Sequence, residues 1–80
     1  MYEHLKIGSQ IYAVHKRYVD EKLGGKIVVC RTKSFENIQG EIIPILTEVG
    51  NAKHIVSPKT HYIYLNLPDA IDAIRTENHG

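Results

Sequence analysis

Apolar and polar residues alternate over short stretches of this chain, a pattern that indicates half-buried β-strands. Stretches rich in Val, Ile and Tyr are separated by turn-forming segments such as Gly24-Gly25, which suits the positive φ angles of a hairpin turn. Residues 27–30 are apolar at both odd and even positions, so we expect both faces of the strand to be covered there. The pattern predicts strands over residues 10–19, 26–35, 41–49, 53–56 and 61–65.

The third predicted strand has a proline at its centre. Pro44 has no N–H with which to bond a neighbouring strand, so an edge position or a bulge is expected. Ile42 and Leu46 are expected to face the core, and Ile43 and Ile45 then point the other way. If nothing in the chain covers those two isoleucines, they form an exposed apolar strip; the alternative is that the helix or a fold of the sheet covers them.

The C-terminal segment has the clearest local signal, which predicts a helix over residues 67–76. Asn66 is a good N-cap, Pro68 falls in the first turn, and Asp69 suits the positive end of the helix dipole. A helix of about three turns is unstable alone, so we expect its apolar stripe to pack on the second face of the 27–30 strand. The stripe follows i, i+3, i+4, i+7 spacing and consists of Leu67, Ala70, Ile71 and Ile74.

Both ends of the chain resemble one family. Residues 7–15, IGSQIYAVH, look like the opening of small SH3-like-barrel proteins of bacteria and their phages, whose first strand follows a hydrophobic-Gly-polar turn. Residues 62–74, YIYLNLPDAIDAI, are similar to the ending of those proteins, although Leu65 replaces the usual aromatic residue and Pro68 replaces an acid. The resemblance implies a barrel fold and a binding role, without any catalytic residue. The matching positions at the end are Leu65, Asn66, Leu67, Asp69 and Ala70.

These elements predict a mainly β single domain over residues 1–80. It should be a small SH3-like barrel or a strongly bent five-stranded antiparallel sheet with one C-terminal helix. Apolar residues make up 42% of the chain, charged residues 24%, and the net charge is +1, so neither disorder nor attraction to an anionic membrane is indicated. The apolar runs are too short to span a bilayer, and one cysteine cannot form an internal disulfide, so a cytoplasmic protein is expected.

No pattern of residues indicates catalysis or a cofactor, so we expect a non-enzymatic protein. Cys30 lies in the most apolar stretch and is expected to be a buried hydrophobe rather than a nucleophile. His15, His54 and His61 are candidates for a three-nitrogen zinc site around the Ser57-Pro58 turn. No HxxxH, HxH or CxxC spacing supports that site, so surface or half-buried histidines are the favoured interpretation.

Two binding functions remain, and the first is preferred. It is protein–protein interaction, with a second copy or with another protein, through Ile43, Pro44, Ile45, Tyr62 and Tyr64. The second is binding of single-stranded nucleic acid by phosphate contacts and stacking along a basic first hairpin. A solvated hairpin whose charge Asp20 and Glu21 balance is the alternative to that second function. The basic residues are Lys16, Arg17, Lys22, Lys26, Arg31 and Lys33.

Overall fold

The computed structural model describes residues 5–75, which form one antiparallel sheet and two short helices. The strands are β1 (Gln10–His15), β2 (Val28–Ile38), β3 (Glu41–Glu48), β4 (Asn51–Val56) and β5 (His61–Tyr64). The helices are α1 (Lys16–Asp20) and α2 (Leu67–Ile74). The strands lie in the order β4-β3-β2-β1-β5. The predicted mainly β fold with five antiparallel strands and a C-terminal helix is confirmed, in its open-sheet form.

The sheet bends strongly because its two edge strands are consecutive in the chain. β4 ends at Val56 and β5 begins at His61, yet these strands lie at opposite edges of the sheet. The carbonyl oxygen of Ser57 accepts hydrogen bonds from the N–H groups of Thr60 (3.1 Å) and His61 (3.0 Å), which closes the connection into a tight turn. A flat five-stranded sheet would separate its edges by about 19 Å, so the sheet must curve until they approach each other at this turn.

One hydrophobic core lies on the inner face of this bend. The register pairs Ile11 with Cys30 and Ala13 with Val28, which places these four residues on one face of the sheet. Strands β1 to β4 all contribute to this core, with Phe35 of β2 and Ile63 of β5 packed against it. The buried members are Leu5, Ile11, Ala13, Val28, Cys30, Leu46 and Val56.

Strand β1 is shorter than predicted because residues 16–20 form helix α1. The Glu21 N–H donates to the Arg17 carbonyl oxygen at 3.0 Å, which closes the helical turn. Gly25 then meets Tyr18 so closely that a Cβ on this glycine would lie 2.5 Å from the Tyr18 Cγ. The first connection is therefore a helix and a loop rather than the predicted tight hairpin, although Gly24 and Gly25 have the expected positive φ angles, 71° and 151°.

The structure supports the covered alternative for Ile43 and Ile45 of β3, and the predicted inward facing of Ile42 is wrong. Ile43 is only 9% exposed, Pro44 is buried and Ile45 is half-buried, whereas Ile42, which was expected inside, is 54% exposed. The pairing of β2 with β3 shifts register between Thr32 and Ser34, and such an irregularity bends and twists a hairpin. Both faces of β3 are therefore covered at residues 43–45, and Ile42 lies beyond them, towards the turn.

The prediction that Pro44 marks an edge or a bulge is confirmed. β3 pairs with β2 from Glu41 to Glu48, but its pairing with β4 reaches only from Glu48 to Leu46, so residues 41–45 form an edge. The Val49 N–H donates to Val29 of β2 at 2.8 Å. Because N–H directions alternate along a strand, the nitrogen of Pro44 points away from β2, towards the side without a partner strand.

Helix α2 begins where the sequence predicts and packs elsewhere on the sheet than expected. The Asn66 side chain accepts a hydrogen bond from the Asp69 N–H at 3.0 Å and donates one to the Asp69 carboxylate at 3.0 Å. The main contacts of α2 are with β1 and β5 rather than with residues 27–30 of β2. Two residues connect β5 to α2, so the helix lies over β5 and its neighbour β1. Position 76, the predicted helix end, lies outside the described residues.

Candidate interaction surface

Helix α2 leaves the bulky part of its apolar stripe in water. Leu67 and Ile71 are 42% and 40% exposed, and Leu65, just before the N-cap, is 55% exposed. Residues four apart lie on the same side of a helix, so Leu67 and Ile71 are neighbours. We call Leu65, Leu67 and Ile71 the helix patch.

Small residues determine how α2 docks. Ala70 is the only residue of α2 that is fully buried, and Ala73 and Ile74 are half-buried. The helix is therefore rotated about its axis relative to the predicted orientation, with its alanines turned towards the sheet. This rotation corrects the prediction that Leu67 and Ile71 pack on the sheet.

The helix patch has an energetic consequence. Complete burial of a Leu or Ile side chain stabilises a protein by roughly 1.5–3 kcal/mol, so two residues left about 40% exposed forgo on the order of 1 kcal/mol each. Single exposed apolar residues are ordinary, but three of them on and beside one helix indicate contact with another surface.

Tyr62 and Tyr64 are half-buried and take part in contacts within the chain. The register pairs Tyr64 with Tyr12 and Tyr62 with Val14, so all four residues share the face opposite the core. The Tyr62 hydroxyl donates to Asp20 at 2.7 Å, and this hydrogen bond raises the pKa of Tyr62. The Lys16 ammonium lies 5.3 Å from the centroid of the Tyr62 ring. These contacts connect β5 to α1.

The five residues of the predicted interface do not form one surface. Ile43, Pro44 and Ile45 are on β3, whereas Tyr62 and Tyr64 are on β5, and two strands lie between them in the sheet. Sequence reasoning missed Leu65, Leu67 and Ile71 as surface residues, because a stripe at helical spacing is normally the buried side. The available signal was the pair of alanines at positions 70 and 73, which can also form a docking side.

The predicted basic residues are spread over α1, the following loop and β2. Arg17 lies 3.4 Å from the Glu21 carboxylate, and Lys16 lies over the Tyr62 ring, whose hydroxyl binds Asp20. Acidic groups are thus interleaved with the basic ones. Nucleic-acid binding through these residues stays a prediction. Of the other basic residues, Lys22 and Lys26 are in the loop, and Arg31 and Lys33 are on β2.

The structure brings the three candidate histidines towards the turn between β4 and β5. The His15 and His61 rings are 5.1 Å apart in an edge-to-face arrangement, and the His54 Nδ1 lies 2.7 Å from the Glu48 carboxylate. Burial lowers the pKa of His61, and the neighbouring His15 and His54 lower it further. Within residues 5–75, no three His, Cys, Asp or Glu side chains are arranged to hold a metal ion, so the zinc site finds no support.

Cys30 is buried, as predicted. Its thiol donates a weak hydrogen bond to the Val28 carbonyl oxygen at 3.6 Å. Burial, followed by the charge of Glu48, raises the pKa of the Cys30 thiol to about 11. A buried thiol with a raised pKa is not a nucleophile at neutral pH.

A shallow cavity of about 400 Å³ at the β3–β4 turn is lined by residues 47–52 and Arg31, without a histidine or a cysteine.

Comparisons with known proteins add no relative. No protein-family model, no curated protein and no solved structure matches this chain. The resemblance of its two ends to small SH3-like-barrel proteins therefore stays a prediction. Between Leu5 and Arg75, neither helix has the length and apolar character needed to cross a membrane.

Proposed function

We propose that this protein is a non-enzymatic protein-binding module that associates with a second copy of itself through α2. The observation that supports this proposal is the helix patch, three large apolar side chains left exposed on and beside a helix that docks through Ala70. Two copies that bring these patches together would remove the same residues from water on both chains, as in a two-fold symmetric dimer.

The dipoles of the two helices favour an antiparallel arrangement. Antiparallel helices place the positive N-terminal end of each dipole beside the negative C-terminal end of its partner. A net charge of +1 adds little repulsion between copies.

The expected dimer is weak. A stable interface normally buries about 800 Å² on each partner, and the helix patch contributes only three side chains to such an area. Association should therefore appear at about 10–100 µM chain concentration, corresponding to roughly 5.5–7 kcal/mol of binding free energy.

The test is the solution mass measured by analytical ultracentrifugation between about 5 and 500 µM, a range that brackets this affinity. The wild-type mass should rise from one chain towards two, and the double variant Leu67→Lys/Ile71→Lys should keep the mass of one chain. Ile42→Lys is the matched control, because Ile42 is as exposed as the patch residues but lies on the β2–β3 hairpin. A wild-type mass of one chain throughout, or equal loss of the dimer in the control, contradicts the proposal.

A further inference from the structure

Helix α1 is capped by a titratable side chain. The Nδ1 atom of His15 accepts a hydrogen bond from the Arg17 N–H at 3.1 Å, which is the usual role of Ser, Thr, Asp or Asn at the start of a helix. A ring nitrogen that accepts a hydrogen bond has no proton, so this contact requires an unprotonated Nδ1 on His15. Helix α1 has only five residues, so this cap is a large part of what holds its first turn.

A positive charge on His15 would meet an unfavourable environment. The His61 ring of β5 lies 5.1 Å away, and the first turn of α1 contains no acidic residue. Tyr18 of α1 contacts the His15 ring edge-on, with the ring centroids 6.2 Å apart. The carboxylate of Glu48 on β3 is bound to His54 of β4. The other charged groups on α1 and on α2, which packs against it, are Lys16, Arg17, Asp20, Asp69 and Asp72.

Protonation of His15 would destabilise α1 in three ways. Both ring nitrogens of a protonated histidine are donors, so the Arg17 N–H loses its acceptor. The new charge lies at the positive end of the helix dipole, where a cation destabilises the helix. It also lies beside His61, a second histidine that acid protonates, and like charges repel.

We propose that His15 makes α1 a pH-sensitive segment, which is ordered when His15 is neutral and released when acid protonates it, while the sheet stays folded. Release of α1 would separate the Tyr18 ring from Gly25 and break the hydrogen bond between Tyr62 and Asp20. This inference does not depend on dimer formation.

The test is amide hydrogen exchange measured by NMR at pH 7.5 and pH 5.0, with each rate divided by its intrinsic rate at that pH. The Arg17 and Glu21 amides report on α1. The Arg17 amide bonds to the His15 ring, and the Glu21 amide bonds to the Arg17 carbonyl oxygen. Their protection should fall about tenfold in acid, the size expected for loss of an N-cap. The Thr32 and Val49 amides, which bond to the carbonyl oxygens of Ser9 and Val29, should lose much less protection than the α1 amides.

Two variants distinguish the effect of His15 from the effects of the neighbouring histidines. His15→Asn keeps a capping acceptor without a titratable ring, so its α1 amides should show no acid response. His54→Asn removes a neighbouring histidine and should respond as the wild type does. Three results would each overturn the proposal. They are wild-type α1 amides whose protection does not change in acid, an equal loss of protection at Thr32 and Val49, and a full loss of α1 protection in acid for His15→Asn.

Discussion

Thr32 shows how a single residue can lower the stability of this core. Its side chain is 1% exposed, and its hydroxyl has no hydrogen-bond partner among the residues that the structure describes. A buried polar group without a partner costs roughly 1–3 kcal/mol, because it gives up its hydrogen bonds to water and gains none. The register places Thr32 opposite Leu46, in the apolar centre of the sheet.

Replacement of this hydroxyl by a methyl group should therefore stabilise the protein. Thr32→Val keeps the shape of the side chain and should raise the free energy of unfolding by about 1 kcal/mol, or the Tm by about 4–8 °C. Thermal unfolding followed by circular dichroism measures this change. Thr47→Val, at a half-buried position on β3, is the control and should give a much smaller gain; a Tm for Thr32→Val at or below that of the wild type contradicts the expectation.

Cys30 gives a second prediction at the residue scale. Because its thiol is buried and burial raises its pKa to about 11, the folded protein should react with a disulfide reagent at pH 8 only when it opens. The reaction rate of the folded protein, followed by absorbance, should be on the order of a thousandfold below that of the urea-unfolded chain, if the free energy of unfolding is near 5 kcal/mol. A folded rate within tenfold of the unfolded one would place the thiol at the surface.

At the scale of elements, the position of α1 depends on the contact between Tyr18 and Gly25. Gly25 has a φ of 151°, a conformation that L side chains rarely adopt, and an added Cβ would overlap the Tyr18 ring. The glycine therefore serves two purposes: it allows the backbone angle and it allows the ring to approach. This contact holds the loop after α1 against the helix, so it fixes the path of the chain from β1 to β2.

The Gly25→Ala variant tests the importance of that contact. We expect it to lower the free energy of unfolding by about 2–4 kcal/mol, through backbone strain and displacement of Tyr18, as urea unfolding would measure. Gly8→Ala is the matched control, because Gly8 also has a positive φ, 90°, but an added Cβ there meets no atom within 4 Å. The control should cost about 1 kcal/mol, and an equal loss in both variants would mean that Tyr18 packing contributes nothing.

At the scale of the whole molecule, the bend of the sheet creates a dependence of stability on pH. The bend brings β4 and β5 close, which partly buries His61 and places it beside His15 and His54. Burial first, and then these neighbours, lower the pKa of His61 below its ordinary value of 6.5. The unfolded chain therefore takes up the proton before the folded one does as pH falls.

The stability from this group is complete above about pH 6.5 and is lost as pH falls further through the folded pKa. Urea unfolding at pH 7.5, 6.0 and 5.0 should show a midpoint that decreases towards acid, and His61→Asn should show a smaller decrease. Dilute protein keeps dimer formation from contributing to the midpoint. A wild-type midpoint that stays constant or rises towards pH 5.0 contradicts this expectation.

The sequence by itself determined the features that depend on neighbouring residues in the chain. Alternation located five strands, the missing N–H of Pro44 marked the edge half of β3, and Asn66 fixed the start of α2. Cys30 was assigned to the core because the residues around it are apolar. In each case the decisive interaction lies within a few positions along the chain, so the pattern alone contains it.

Only the tertiary structure decided which surfaces are covered. The short connection between β4 and β5 bends the sheet, the pairing of β2 with β3 shifts register near Thr32, and Ile43 is buried. The alanines of α2 turn towards the sheet, and Leu67 and Ile71 are left in water. Helix α1 likewise depends on Tyr18 meeting a glycine seven positions away. Hydrophobic periodicity shows which sides of an element can be buried, but burial depends on residues far away in the chain, which only the folded arrangement brings together.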